Sequence, residues 1–165
     1  MKRLILATMF AIMIGQSSAE GVQIRDVFRQ MPDSLMPYLT QNNRLDFIDF
    51  LDSGMKAEVT NVTGGTSEMT ALTDDSLSIR MSDALRVDML LLDLDIPVDT
   101  LRQIVVFVET FLIDSVYCES VCKTYSVDWQ PVTEDVSFNE LQRKRIERLN
   151  LQNILNWEED KLKNR

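Results

Sequence analysis

The stretch Met31–Gly54, which reads MPDSLMPYLTQNNRLDFIDFLDSG, combines helical periodicity with clear start and stop signals. Its apolar positions recur at helical spacing and form one face, made by Leu45, Phe47, Ile48, Phe50 and Leu51. Asn42 or Asn43 can cap the start of the helix by accepting backbone N–H bonds. Gly54 can adopt the left-handed conformation that ends it. We therefore predict a packing helix whose apolar face needs a second layer.

The opposite face of this helix is predicted to be polar and solvent-exposed. It carries Arg44, Asp46, Asp49 and Asp52. A helix that is apolar on one side buries that side against a sheet or another helix. The segment from Ala57 to about Trp129 supplies this layer, because its pattern changes to the period of two that is typical of β-strands.

Turn residues divide this segment into short strands. The turns are Gly64–Gly65, Asp74–Asp75, Ser82–Asp83, the loop Asp95–Asp99 and Asp114–Ser115. The strands Leu85–Leu94 and Gln103–Leu112 are apolar on both faces at their centres, which places them in the middle of the sheet. The predicted fold class is α+β, with an antiparallel, meander-like sheet of about five to six strands packed by N-terminal helices.

Both ends of the chain are predicted to be helical. A short helix precedes Pro32, because apolar residues recur between positions 22 and 31 and proline cannot continue a helix. A C-terminal helical tail covers about 137–160, with Ser137 as its cap and Glu140 as the capping-box partner. Its apolar stripe, which includes Leu141, changes face near Asn150. Either the helix breaks there or its second half contacts a different surface, such as a partner chain.

Residues 1–19 have the features of a secretory signal peptide. Lys2 and Arg3 precede the apolar run Leu4–Gly15, and small residues end at Ala19. The apolar run is shorter than the ~20 residues that a membrane-spanning helix needs, so an uncut anchor is the less favoured alternative. We predict cleavage before Glu20, export to the periplasm or cell envelope without a stable membrane span, and a single domain over 20–165.

The acidic composition argues against some classes of partner. The chain carries 26 acidic and 17 basic side chains, for a net charge of −9. Such a surface repels phosphate backbones and anionic lipid headgroups, so nucleic acid is not an expected partner. The basic cluster Arg143–Arg145 with Arg148 is interpreted as a solvated helix face, because Glu140 precedes Lys144 by four residues.

The absence of histidine removes the commonest general base and the commonest zinc ligand. Two carboxylate pairs could serve a glycosidase-type mechanism, Asp46 with Asp49 and Asp93 with Asp95, although solvated faces explain them better. Calcium could bind at Asp93, Asp95 and Asp99, but no glycine-containing calcium loop is present. Gly64–Gly65 lacks the lysine and helix of a phosphate-binding loop. We assign no catalytic residue, no cofactor and no metal ligand.

Cys118 and Cys122 form a possible disulfide, since an exported chain meets an oxidising environment. In a regular strand these positions lie ~13 Å apart, which exceeds the reach of a disulfide. A bridge therefore requires a bulge or a tight turn at Glu119–Val121. The alternative is a pair of buried thiols.

The chain resembles a domain-of-unknown-function family of small exported proteins from Bacteroidetes-type bacteria. The resemblance rests on MPDSLMPYLTQNNRLDFIDF, on the SGM and VTNVTGGTSEMTALTDD segments that follow, and on Asp114–Ser115 with Tyr125 and Trp129. It covers Val22–Val132 and implies no catalytic or binding residue. The CESVC segment departs from the family's pattern in the last strand.

Two functions remain open from the sequence. The preferred one is a non-enzymatic envelope protein that binds another envelope protein or a small ligand, or serves as a subunit of a larger complex. The alternative is a carboxylate-based hydrolase of exported glycan-type substrates. An enzyme should bring two acids from different segments into one cleft, whereas a binding module should disperse its acids and expose an apolar patch.

Overall fold

The computed structural model describes residues 21–98, 101–113, 116–132 and 139–147. The helices are α1 Ile24–Arg29, a 3₁₀ turn Asp33–Leu35, α2 Gln41–Asp52 and α3, whose described part is 140–147. The strands are β1 Glu58–Thr60, β2 Thr66–Leu72, β3 Ser76–Ser82, β4 Leu85–Val98, β5 Leu101–Ile113 and β6 Val116–Ser126. The predicted α+β class is confirmed.

All six strands form one antiparallel sheet in the order β1-β2-β3-β4-β5-β6, so each strand pairs with its neighbour in the chain. The long strands β4 and β5 lie inside the sheet, as predicted, and pair with Met89 opposite Phe107. The prediction that a loop begins at Asp95 was wrong, because β4 continues to Val98. A register shift after Asp93 allows this longer hairpin, which closes with Val98 opposite Leu101.

The main core lies between α1, α2 and one face of the sheet. Strand β3 alternates as predicted, since Leu77, Ile79 and Met81 are buried and the residues between them are partly exposed. Phe28 and Phe47 pack from the helices against this face. Burying each such side chain contributes roughly 1.5–3 kcal/mol, which makes this layer the main source of stability.

Helix α2 begins and ends with complete capping motifs. The cap is Thr40, whose side chain accepts a bond from the backbone N–H of Asn43, while the Asn43 side chain accepts one from the N–H of Thr40. The prediction of Asn42 or Asn43 as the cap was therefore wrong, although Asn43 completes the motif. Gly54 has φ 69° at the other end, as predicted, and the N–H of Met55 donates to the Phe50 carbonyl.

The buried face of α2 differs from the prediction at two positions. Arg44 was placed on the polar face but is 1% exposed, whereas Leu45 was placed on the apolar face and is 36% exposed. The reason is geometric, because Arg44 precedes Phe47 by three residues and Ile48 by four, and such residues share one helix face. Phe47 and Ile48 therefore carry Arg44 inward.

The second face of the sheet holds a smaller apolar cluster, against which Ile146 of α3 packs. Its buried members are Leu90, Leu92, Ile104, Val106 and Val108. Asn139 and Gln142 exchange capping bonds at the start of α3, whereas the predicted cap Ser137 lies outside the described residues. Leu141, which belongs to the predicted apolar stripe, is 68% exposed, whereas the polar residue Gln142 is buried.

Candidate functional site

A cleft of about 250 Å³ lies where the start of the described chain meets the β2–β3 turn and the paired ends of β4 and β5. Its lining is mostly polar and consists of Gly21, Val22, Gln23, Asp74, Asp75, Leu91, Asp93, Gln103 and Arg145. These residues come from five separate parts of the sequence. The cleft is therefore a product of the tertiary fold and not of a local motif.

Backbone hydrogen bonds fix the walls of the cleft. The N–H of Ile24 donates to the Asp74 carbonyl at 2.9 Å, and the N–H of Leu91 donates to the Asp75 carbonyl at 2.7 Å. Within the turn, the Thr73 hydroxyl accepts the N–H of Ser76 at 2.9 Å. These bonds hold the two adjacent aspartates at the junction of α1, β3 and β4.

Arg145 of α3 crosses the cleft and contacts the turn. Its Nη2 donates to Oδ2 of Asp75 at 2.5 Å, and the two side chains are 35% and 49% exposed. Partial burial alone would raise the pKa of the Asp75 carboxyl, but the hydrogen bonds from Arg145 and Thr73 outweigh it and hold that pKa below its usual range. Asp75 is therefore a stable anion at neutral pH.

The acids at the end of β4 are also hydrogen-bonded. Oδ1 of Asp93 accepts a bond from Nε2 of Gln103 at 2.8 Å, and its backbone oxygen accepts one from Nε2 of Gln142 at 2.6 Å. Oδ2 of Asp95 accepts a bond from Nδ2 of Asn139 at 2.5 Å. Asp93 thus faces the cleft, while Asp95 fastens the start of α3.

The protonation state of Asp75 and the balance of charges in the lining limit the chemistry of the cleft. A carboxylic acid that donates a proton near neutral pH needs a raised pKa, whereas the pKa of Asp75 is lowered. Three carboxylates face one guanidinium in the lining, so the cleft carries excess negative charge. That charge favours a ligand group that is positively charged.

The carboxylate pairs proposed from the sequence have different environments. Asp46 and Asp49 are both exposed on α2, away from the lining of the cleft. Asp93 and Asp95 serve the contacts described above, and Asp99 lies outside the described residues. No group of three or more Cys, Asp or Glu side chains in the described ranges is arranged to hold a metal ion.

The strand that carries the cysteines has a bulge. Phe111 pairs with Glu119 and Leu112 with Tyr117, so Cys118 is the extra residue, while residues 119–122 pair regularly with β5. The side chain of Cys122 is exposed, and desolvation by its neighbours raises the pKa of its thiol, so the thiol is not an activated nucleophile. The side chain of Cys118 lies outside the described atoms, and the Cys118–Cys122 disulfide stays a prediction.

Two other motifs have the structural roles expected of them. Gly64–Gly65 closes the β1–β2 hairpin, with Gly64 at φ 82°. Lys144 contacts Glu140 at 2.7 Å as a helical ion pair. Arg145, the next residue, leaves this face and enters the cleft, while Arg148 lies outside the described residues.

The sequence did not reveal the cleft. Asp74–Asp75 was interpreted only as a turn and Arg145 only as part of a basic helix face. The two bonded side chains of Asp75 and Arg145 are separated by 70 positions. No local spacing in the sequence indicates such a contact. The one available signal was the pair of adjacent acids, Asp74 and Asp75, in a tight turn.

Comparisons with known proteins place the chain among uncharacterised relatives. The solved structure of a domain of an uncharacterized protein from Porphyromonas gingivalis W83 has a similar fold, with a TM-score of 0.56 and 23% sequence identity. The match covers 71% of this chain and 57% of that chain, and at this identity it shows the fold alone. No curated protein matches the chain.

No helix within the described ranges has the length and apolar character needed to cross a membrane. Residues 16–159 match the family described as "Protein of unknown function (DUF3256)". This match spans most of the sequence and confirms the predicted resemblance to a domain-of-unknown-function family. The chain therefore belongs to the DUF3256 family of proteins of unknown function.

Proposed function

We propose that this protein is a non-enzymatic binding protein of the cell envelope, whose cleft takes a small ligand that carries a positively charged group. The single observation that carries this proposal is the convergence of Asp74, Asp75 and Asp93 with Arg145 around one cavity. Ligand sites are commonly concave and hold a few polar groups at fixed positions. An ammonium or guanidinium group would neutralise the excess carboxylate charge.

The geometry suggests how such a ligand would be held. Asp74 and Asp93 are both exposed, so an entering cation reaches their carboxylates without displacing buried groups. Arg145 already forms an ion pair with Asp75, so the carboxylate of Asp75 is not expected to bind the ligand directly. The remaining acids, from the β2–β3 turn and from β4, are the expected ligand contacts. Affinity should fall as salt screens these exposed charges.

Export is part of the proposal and rests on the character of residues 1–19. The predicted cut before Glu20 would leave the described residues at the start of the mature chain. Expression of the full chain with its native start, followed by N-terminal sequencing of the envelope fraction, tests it. A mature protein that begins at Glu20 supports export, and an uncut chain in the cytoplasmic fraction contradicts it.

Calorimetric titration of the purified chain with lysine amide, and with glutamate as the opposite-charge control, tests ligand binding. We expect measurable binding of lysine amide alone. Asp93→Asn and Asp74→Asn should each weaken it by about tenfold, as loss of a charge-assisted bond predicts. Asp46→Asn, an exposed acid on α2, is the matched control and should leave binding unchanged. Equal effects from all three variants would reject the cleft as the site.

A carboxylate-based hydrolase remains the second candidate, because acids from two separate segments do meet in one cleft. Its expected substrates are glycans or similar exported polymers. Incubation with a panel of soluble glycans, with Asp75→Asn and Asp93→Asn as paired variants, tests it. Hydrolysis by the parent chain that both variants abolish would replace the binding proposal. Absence of turnover on every substrate would remove the hydrolase candidate.

A further inference from the structure

Strand β6 has one side paired with β5 and one side that forms the edge of the sheet. The carbonyl of Thr124 accepts the N–H of Val132 at 3.0 Å, and the N–H of Ser126 donates to the Gln130 carbonyl at 2.9 Å. Backbone groups in an antiparallel strand alternate between its two sides. The even-numbered residues of this part of β6 therefore direct their N–H and C=O groups away from β5.

Among the described residues, the segment 130–132 covers this edge, and it does so only at the C-terminal end of β6. At Ser120 and Cys122, the outward backbone groups have no backbone partner within the described residues. The neighbouring side chains of Glu119, Cys122 and Lys123 are exposed. A row of unpaired backbone groups on an exposed edge is a template for another strand. The segment of β6 with unpaired outward groups is short, because the bulge at Cys118 interrupts the strand on the N-terminal side of Glu119.

We propose that a second copy of this chain pairs antiparallel with this edge, about a two-fold axis at Val121. Ser120 then lies opposite the partner subunit's Cys122, and each such pair exchanges two backbone hydrogen bonds. Val121 lies opposite the partner subunit's Val121 on the side of the sheet that faces the helices. A two-fold axis uses the same surface on both copies and closes the assembly at a dimer.

Charge complementarity selects this register. With the axis at Val121, Glu119 lies opposite the partner subunit's Lys123, and the symmetric contact repeats on the other side. Shifting the axis by one residue in either direction places Glu119 opposite valine or tyrosine instead. Opposite charges directly across a strand pair stabilise the pairing.

The charges around Lys123 also favour a second copy of this chain as the strand that pairs with β6. Nζ of Lys123 already contacts Oε2 of Glu109 at 2.7 Å and remains 47% exposed. Glu119 has no ion-pair partner within the described residues. In the dimer each Lys123 would lie between Glu109 of its own chain and the partner subunit's Glu119. A foreign strand would need to supply a cation at one position, whereas a second copy carries it already.

Disulfide trapping tests the register directly. Opposed residues in a pair that is not hydrogen-bonded have Cα atoms about 4.5 Å apart, within the range of a disulfide. Val121→Cys in a Cys118→Ser/Cys122→Ser background should therefore oxidise to a covalent dimer. Thr70→Cys in the same background places an exposed thiol on β2 and is the matched control, which should remain monomeric. Equal cross-linking of both variants would overturn the proposed register.

Sedimentation equilibrium of the full chain provides the second measurement. We expect a concentration-dependent dimer that Glu119→Lys or Lys123→Glu weakens by about tenfold. The double charge swap should restore it in a Glu109→Gln background, because Lys123→Glu would otherwise lie against the carboxylate of Glu109. Ser120→Pro removes an outward backbone donor without breaking a backbone hydrogen bond to β5, and should also give monomers. Ser120→Ala loses only the side-chain hydrogen bond to Oγ1 of Thr110 and is the matched control, which should still dimerise. A parent chain that stays monomeric at every concentration would overturn the proposal. This holds even if the edge of β6 were then found to pair with a peptide from another protein.

Discussion

Nη2 of Arg44 lies 2.6 Å from the backbone oxygen of Met31, although the two residues belong to different segments of the N-terminal region. Nη1 of the same side chain donates to the Leu39 carbonyl at 3.1 Å, and Nη2 also contacts Oδ1 of Asp33 at 2.8 Å. One buried guanidinium thus ties the irregular segment before α2 to the helix itself.

We expect Arg44→Ala to lower the free energy of unfolding by about 2–4 kcal/mol, because it leaves buried carbonyls unpaired and opens a cavity. Asp33→Asn is the control: since Asp33 is 64% exposed, losing its charge should cost less than about 1 kcal/mol. Urea denaturation followed by circular dichroism measures both. A change below about 0.5 kcal/mol for Arg44→Ala would contradict the role of the guanidinium.

The contact between Asp75 and Arg145 should make the docking of α3 depend on pH. The folded-state pKa of Asp75 lies below its ordinary 3.8. Its contribution to stability is therefore present above about pH 4 and is lost as the pH falls through the folded-state value. Because both side chains are partly exposed, we expect less than about 1 kcal/mol from the pair.

Arg145→Gln tests this dependence. The substitution should raise the pKa of Asp75, and the stability difference from the parent chain should shrink as the solution is acidified below pH 3.8. Side-chain carboxyl titration by NMR measures the pKa, with Lys144→Gln as the exposed control on the same helix. An unchanged pKa of Asp75 in Arg145→Gln would disprove the contact in solution.

Trp129 joins the end of the sheet to α1. Its indole Nε1 donates to the Val27 carbonyl at 2.9 Å, and its ring lies 5.6 Å from that of Tyr125. Trp129→Phe keeps an aromatic ring but removes the donor, so we expect a loss of about 1–2 kcal/mol in thermal or urea unfolding. Tyr125→Phe removes a hydroxyl from the neighbouring ring and should change stability by less than about 0.5 kcal/mol. Equal losses would show that the indole bond is unimportant.

The two glycines of the first hairpin should respond differently to substitution. Gly64 has φ 82°, where a side chain is strained, so Gly64→Ala should cost about 1–2 kcal/mol. Gly65 is the matched control, because the atoms nearest to an added Cβ belong to the Asn61 and Thr63 side chains and lie at 3.5 Å or more. We expect Gly65→Ala to be neutral within about 0.5 kcal/mol. The reverse order in urea denaturation would contradict the turn geometry.

Local signals in the sequence were sufficient for the sheet. Each strand pairs with its chain neighbour, so alternation and turn residues such as Gly64 carry the information needed to order the strands. The buried position of Arg44 was not visible, since it depends on carbonyls that an irregular segment brings to the helix. The burial of Gln142 on α3 was not predicted for a related reason, because this side chain bonds to the backbone oxygen of Asp93, which is distant in the sequence.

The candidate site was less predictable than the fold. Asp93 was considered as a carboxylate and Arg145 as part of a basic cluster, but nothing in the sequence joined them. Their meeting depends on the position at which α3 returns to the sheet. Contacts between side chains that are distant in the sequence are determined by tertiary packing, and a single sequence indicates packing only through the periodicity of its helices and strands.

The meander order has a consequence for how the chain folds. Hairpins between consecutive strands close short loops, so β1 to β6 can assemble progressively at low entropic cost. The bond from Trp129 to Val27 instead closes a loop of 102 residues. The docking of α1 is thus expected to follow assembly of the sheet and to complete the core late. Until then, the apolar face of the sheet stays open to chaperones and to other copies of the chain.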